Sequence, residues 1–183
     1  MEDLSLHILD IVENAVAAKA HTIEVRIVEE PELNQLTMEV RDDGIGMTEE
    51  VRQKALDPFF TTRTTRRVGL GLAFLAQSAQ EAGGTMEIES SPGKGTTIKA
   101  TFQYGHIDRK PLGSMVETMT MLIIGNPDID FHYSHANGKR VYTLRSEWLR
   151  EKFKEQAWVS PEAIGWLKKH LREGLANIGL NPV

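Results

Sequence analysis

Three polar residues near the N-terminus stand where a helix would bring them to one side. His7, Asp10 and Asn14 are three and four positions apart, so at 3.6 residues per turn their side chains form one stripe. On an isolated helix such a stripe is a solvated face; it gains chemical meaning from glycine-rich turns further along the chain. There are three: Asp42-Asp43-Gly44-Ile45-Gly46-Met47, Gly69-Leu70-Gly71-Leu72 and Ser91-Pro92-Gly93-Lys94-Gly95. Between the first two, Thr61 to Arg67 carries Arg63, Arg66 and Arg67 and no apolar residue. Glycine turns that open helices, with arginines nearby, are the means by which a chain holds anions. Two common phosphate motifs nevertheless fail. Lys94 is followed by Gly95 where a phosphate-binding loop needs Ser or Thr. Gly69-Leu70-Gly71 does not follow a strand and lacks the last small residue of a dinucleotide turn.

The elements that must position these residues follow from periodicity. Leu4, Ile8, Ile11, Val12, Ala15 and Val16 give the first helix an apolar face over Leu4 to Ala20. Alternating strands are expected at 23–28 and 36–40, joined by a Pro-containing loop over 29–35. Thr48 caps a short helix ending near Asp57-Pro58, and a second helix runs from the Gly69-Leu70-Gly71 turn to the Gly83-Gly84 pair. Strands at 86–89 and 97–102 complete a first part, residues 1–104. This order predicts an α+β fold: a two-layer α/β sandwich with a mixed, mainly antiparallel sheet. Residues 105–183 read as a C-terminal helix–hairpin–helix extension, with a helix over 114–124, a hairpin around Asn137-Gly138 and two capped helices.

Composition narrows the chemistry. The 183 residues include no cysteine, which removes disulfides, thiolate metal sites and cysteine nucleophiles. A formal net charge of -5 argues against a protein that coats nucleic acid or an anionic membrane. The longest apolar run, Met119 to Ile124, is far shorter than a membrane span needs. The chain therefore reads as cytoplasmic and unanchored, without nucleic acid or membrane as a partner.

Taken in order, four blocks resemble the superfamily of gyrase, heat-shock chaperone, histidine kinase and mismatch-repair ATPases, the GHKL or Bergerat-fold proteins. Leu9 to Ala15 matches the N box, Asp42 to Met47 the first glycine box, Asp57-Pro58-Phe59-Phe60-Thr61-Thr62 the F box, and Gly69 to Leu72 the second glycine box. Gly95-Thr96-Thr97 resembles the terminal Gly-Thr, so the likeness covers residues 4–103. It implies Mg²⁺ and ATP, with Asn14 as the metal ligand, since a neutral amide oxygen suits Mg²⁺. It also implies that Asp42 accepts from the adenine amino group, that Gly44 and Gly46 let the base approach, and that Thr96 holds it through a water. Gly69, Leu70 and Gly71 would receive phosphate at a helix N-terminus, under a lid carrying Arg63, Arg66 and Arg67.

Two positions depart from the pattern. Hydrolysing members usually carry Glu one turn before the N-box Asn; Asp10 stands there, one methylene shorter, so slow turnover is expected. Arg67 replaces the glycine that normally opens the second glycine box. The motifs resemble a stand-alone histidine-kinase-like domain. With few residues ahead of the N-box helix, a self-phosphorylating sensor kinase is not expected; phosphate transfer would act in trans, on a partner protein. The rival reading is a nucleotide-gated, anti-sigma-like binding module with little turnover. The extension would extend the sheet, make a homodimer or dock that protein partner.

Overall fold

The computed structural model describes residues 3–55, 71–157 and 159–181. The first helix, α1 (Leu4–Ala17), begins where the Asp3 side chain accepts from the Leu6 N–H, and buries Leu4, Ile8, Ile11, Val12 and Ala15. It ends three residues before the expected boundary, because Lys19 adopts a left-handed conformation (φ 59°) that reverses the chain toward the sheet. The remaining elements of the first part are β1 (Thr22–Glu30), β2 (Gln35–Asp42), α2 (Glu49–Lys54), α3 (Gly71–Glu81), β3 (Met86–Ser90) and β4 (Thr96–Gln103). Strand β1 runs two residues past the expected alternation. The loop foreseen at 29–35 shrinks to a single 3-10 turn at Pro31–Leu33, closed by Asn34 in the left-handed region.

After residue 104 come α4 (Met115–Gly125), β5 (Asp130–Asn137), β6 (Arg140–Arg145), α5 (Ser146–Ala157) and α6 (Pro161–Asn177). The hairpin is present, with Asn137 and Arg140 the last ladder pair and Gly138-Lys139 the two-residue loop. Asn137 is thus a strand residue whose amide donates to the Ile178 carbonyl, not a turn residue.

One six-stranded sheet runs through both parts, in the order β3-β4-β2-β1-β5-β6. Every pairing is antiparallel except β1 with β5, which runs from Thr22↔Asp130 to Glu29↔Asn137. A parallel pair needs a crossover, and the second part supplies it as helix α4. On one face Ile23, Val25, Ile27, Met38, Val40, Phe131 and Leu144 are buried beneath helices, while Glu24, Arg26 and Arg41 on the other face are exposed. In the helical layer α1 packs between α3 and α4, and α4 against α6. The fold is the α+β sandwich that the pattern predicts, and no helix among the described residues is long and apolar enough to cross a membrane.

The parallel seam carries a polar chain. Glu29 on β1 accepts from His135 Nε2 at 2.8 Å, and His135 Nδ1 lies 2.7 Å from the Tyr133 hydroxyl. The imidazole thus links the carboxylate to the phenol in one continuous buried hydrogen-bonded chain. Burial raises the Glu29 pKa, but hydrogen bonds from His135 and Tyr104 and the charge of Arg109 outweigh it and leave the carboxyl below its usual range. Removing the carboxylate strands a buried imidazole N–H. Glu29→Ala is therefore expected to destabilise the protein by about 2 kcal/mol, and chemical denaturation measures it.

A second buried histidine has no such side-chain partner among the described residues. His7, on α1, is 1% exposed, and neither ring nitrogen makes a well-formed hydrogen bond. Burial, followed by the charge of Lys110, lowers its pKa from 6.5 to about 4. Its neutral form is thus the folded form: stability is complete above the unfolded pKa of 6.5 and falls as pH drops toward 4. At pH 5 the loss reaches about 2 kcal/mol. Thermal unfolding of wild type and His7→Leu should diverge in slope over this window, with the variant less pH-sensitive.

Candidate functional site

The first and third glycine-rich turns meet at the end of β2. Asp42 is the last residue of β2, where alternation places it on the helix-covered face; it is 8% exposed. Its Oδ1 accepts from the Gly44 N–H at 2.8 Å. Burial raises its pKa, while the N–H groups of Gly44 and Thr96 work in the opposite direction. A buried carboxylate in this setting is an acceptor without a hydrogen to offer, a type of group that suits a ligand N–H.

Asp42 pairs across the sheet with Thr96, and Thr96 pairs on its far side with Ser90. Three residues from three strands thus form one row. The turn that follows Asp42 is tied down on both flanks. Asp43 accepts from the His21 and Thr22 N–H groups at 2.7 and 2.9 Å, holding the turn to the α1–β1 junction. On the other flank the Met47 N–H donates to Ser90 Oγ at 2.8 Å, and the Gly93 N–H to the Ile45 carbonyl at 2.7 Å.

Gly46 and Gly95 are required by the chain's own packing. Both have positive φ, at 67° and 78°. A Cβ on Gly46 would lie 2.0 Å from the Ser91 carbonyl, and one on Gly95 1.9 Å from the Asp42 carbonyl. The space a side chain would need is filled by backbone, so these glycines bring the two turns together beside Asp42. Gly44 is also close-packed, with the Ala18 carbonyl 2.7 Å from its Cβ position.

The N-box residues lie along α1. Asp10 is half-buried, and its Oδ2 is 2.9 Å from a Cβ built on Gly71, the first residue of α3. A carboxylate there faces the positive end of the α3 dipole. Asn14 is exposed, one turn further along. Asp10 and Asn14 thus lie along α1, Gly71 at the start of α3, and Asp42, Gly44, Gly46 and Thr96 around the ends of β2 and β4. Arg63, Arg66, Arg67, Gly69 and Leu70 lie outside the described residues, as does the F box.

Two residues important to this arrangement were not singled out from sequence. Asp43 reads as a second turn carboxylate beside Asp42, and only its two backbone partners reveal an anchor. Ser90 lies one residue past the expected strand, and no sequence signal distinguishes it from Ser91. Stability checks the glycine geometry. Gly95→Ala, which meets backbone and a forbidden φ, should cost well over 2 kcal/mol, whereas Gly93→Ala, with open space and only the φ penalty, should cost about 1 kcal/mol. Urea unfolding of both variants tests the contrast.

The chain resembles known proteins in sequence and in fold. A family model for the "Histidine kinase-, DNA gyrase B-, and HSP90-like ATPase" matches residues 2–106. The Sensor kinase CckA of Brucella abortus is 37% identical over 86 residues, which is 46% of this chain and 9% of that protein. The Anti-sigma F factor of Thermoanaerobacter sp. is 40% identical over 73 residues, 39% of this chain and 47% of that protein. The chain thus spans less than half the length of these curated relatives. Among solved structures, the Aquifex aeolicus MutL ATPase domain complexed with ADP is 19% identical with a TM-score of 0.50, covering 84% of this chain and 70% of that one. That likeness of fold extends beyond the residues that the family model matches.

Proposed function

Because this chain belongs to the histidine kinase-, DNA gyrase B- and HSP90-like ATPase family, we propose that it binds Mg-ATP between α1, α3 and the Asp42 row and hands phosphate slowly to a protein partner in trans. The observation that carries the reading is the buried Asp42 carboxylate, aligned with Thr96 and walled by turns that only glycine permits. It fits a purine amino group, which needs an acceptor that cannot donate. The α3 N-terminus suits phosphate, and Asn14 would offer Mg²⁺ an amide oxygen nearby. When bound, Mg²⁺ would supply charge neutralisation on phosphate oxygens. Arg63, Arg66 and Arg67 would serve as lid contacts.

Asp10 decides between slow transfer and a second reading, a nucleotide-gated binding module. Its carboxylate already abuts the first residue of α3, and a shorter side chain than Glu has less reach to activate an acceptor. On the first reading Asp10 acts on the proton of the attacking group; on the second it only steadies the phosphate helix. The α4–α6 part, which completes the sheet beside β1, would carry the partner surface in either case, in a cytoplasmic setting.

Isothermal titration with Mg-ATP tests the base contact: Asp42→Asn should weaken binding at least about tenfold, by turning an acceptor into a group with a misplaced donor. Asn14→Ala should weaken Mg-ATP far more than metal-free ATP. In turnover and transfer assays with labelled ATP and a source-cell lysate, Asp10→Asn should lower the rate about 100-fold with little change in affinity. An unchanged rate would leave the gated-module reading in place.

A further inference from the structure

Ser90 Oγ makes three hydrogen-bond contacts at once. It accepts from the Met47 N–H at 2.8 Å, lies 2.9 Å from the Gly95 carbonyl oxygen, and lies 2.9 Å from Thr96 Oγ1. A hydroxyl has one hydrogen and two lone pairs, so this set has few solutions. The Met47 N–H takes one lone pair. The Gly95 carbonyl can only accept, and Gly95 is buried, so the single Ser90 hydrogen goes there. What remains for Thr96 is the second lone pair of Ser90, and Thr96 must therefore donate its own hydrogen to it.

We infer that Ser90 is a specificity-determining residue of the nucleotide site: by taking the Thr96 hydrogen, it makes Thr96 an acceptor toward the ligand. Thr96 stands beside Asp42 in the cross-strand row. The floor of the pocket then consists of two acceptors, a carboxylate and a hydroxyl whose hydrogen points away. Such a floor receives an amino group, directly or through a water that donates to Thr96. Against a 6-oxo purine it sets lone pairs against a lone pair, with no hydrogen to turn outward. Asp42 alone would penalise the oxo group, but a Thr96 free to rotate would relieve part of that penalty by donating to it. Ser90 removes this escape. It touches no ligand in this scheme and acts through Thr96.

The inference rests on the reading of this site as an ATP site, and one titration series separates the two. ATP and ITP differ at the purine 6-position, where ITP carries an oxo group and a protonated N1. If wild type binds neither, the ATP reading itself fails. If wild type prefers ATP, Ser90→Ala should reduce the ATP:ITP affinity ratio by about tenfold, the scale of one hydrogen bond whose sense is reversed. Ser90→Thr, which keeps the hydroxyl, should retain the wild-type ratio. Thr96→Val should lower the ratio by itself, and adding Ser90→Ala to it should change the ratio no further. Thermal unfolding identifies any variant that does not fold, and Ser90→Thr and Thr96→Val then carry the comparison. An unchanged ratio in folded Ser90→Ala or in Thr96→Val, or additive losses in the double variant, would overturn the inference.

Discussion

A carboxylate withdrawn from water at the end of β2 sets the terms for the first hundred residues. Asp42 is tolerated there because backbone N–H groups reach it, and they reach it because two glycine turns fold tightly over the strand ends. Those turns in turn hold together through the Asp43 carboxylate, the Ser90 hydroxyl and the absent side chains of Gly46 and Gly95. The turns and strand ends hold Asp42, Ser90 and Thr96 in one fixed arrangement. The cost of burying Asp42 is offset by packing elsewhere in the sheet, and the site inherits a rigid floor.

The opposite wall is built on helix packing. Asp10 reaches Gly71 because α1 and α3 lie side by side, and Gly71 is where α3 begins. Any movement of α3 relative to α1 would shift Gly71 against Asp10. His7, two turns before Asn14 and buried without a good partner, lies in the same region, as the influence of the Gly71 backbone on its ionisation indicates. Polar groups on α1 thus share one neighbour at the start of α3.

The second part of the chain is joined to the first by the sheet itself. β5 pairs with β1 along eight residues, and Glu29, His135 and Tyr133 form a buried hydrogen-bonded chain at that seam. β1 also carries Thr22, next to the Asp43 anchor, at its other end. One strand therefore runs from the turn that follows Asp42 to the seam with the hairpin.

Much of this was legible from one dimension. The apolar face of α1, the alternation of β1 and β2, the glycine turns and the Asn-Gly hairpin are local patterns that predict an α+β sandwich, and the resemblance of the motifs to a known family nominates Asp42, Asn14 and Thr96. What a sequence lacks is which residues face one another across non-local pairings. The row Asp42–Thr96–Ser90 joins strands far apart in the chain, Glu29 meets His135 across 106 positions, and the crossover that makes β5 parallel to β1 has no periodic signature. Residue type by itself made Ser90 an ordinary turn serine and Glu29 an ordinary loop glutamate. Tertiary structure gave both their roles, because a hydrogen bond is decided by a neighbour's position and direction, and neither is written in the order of residues.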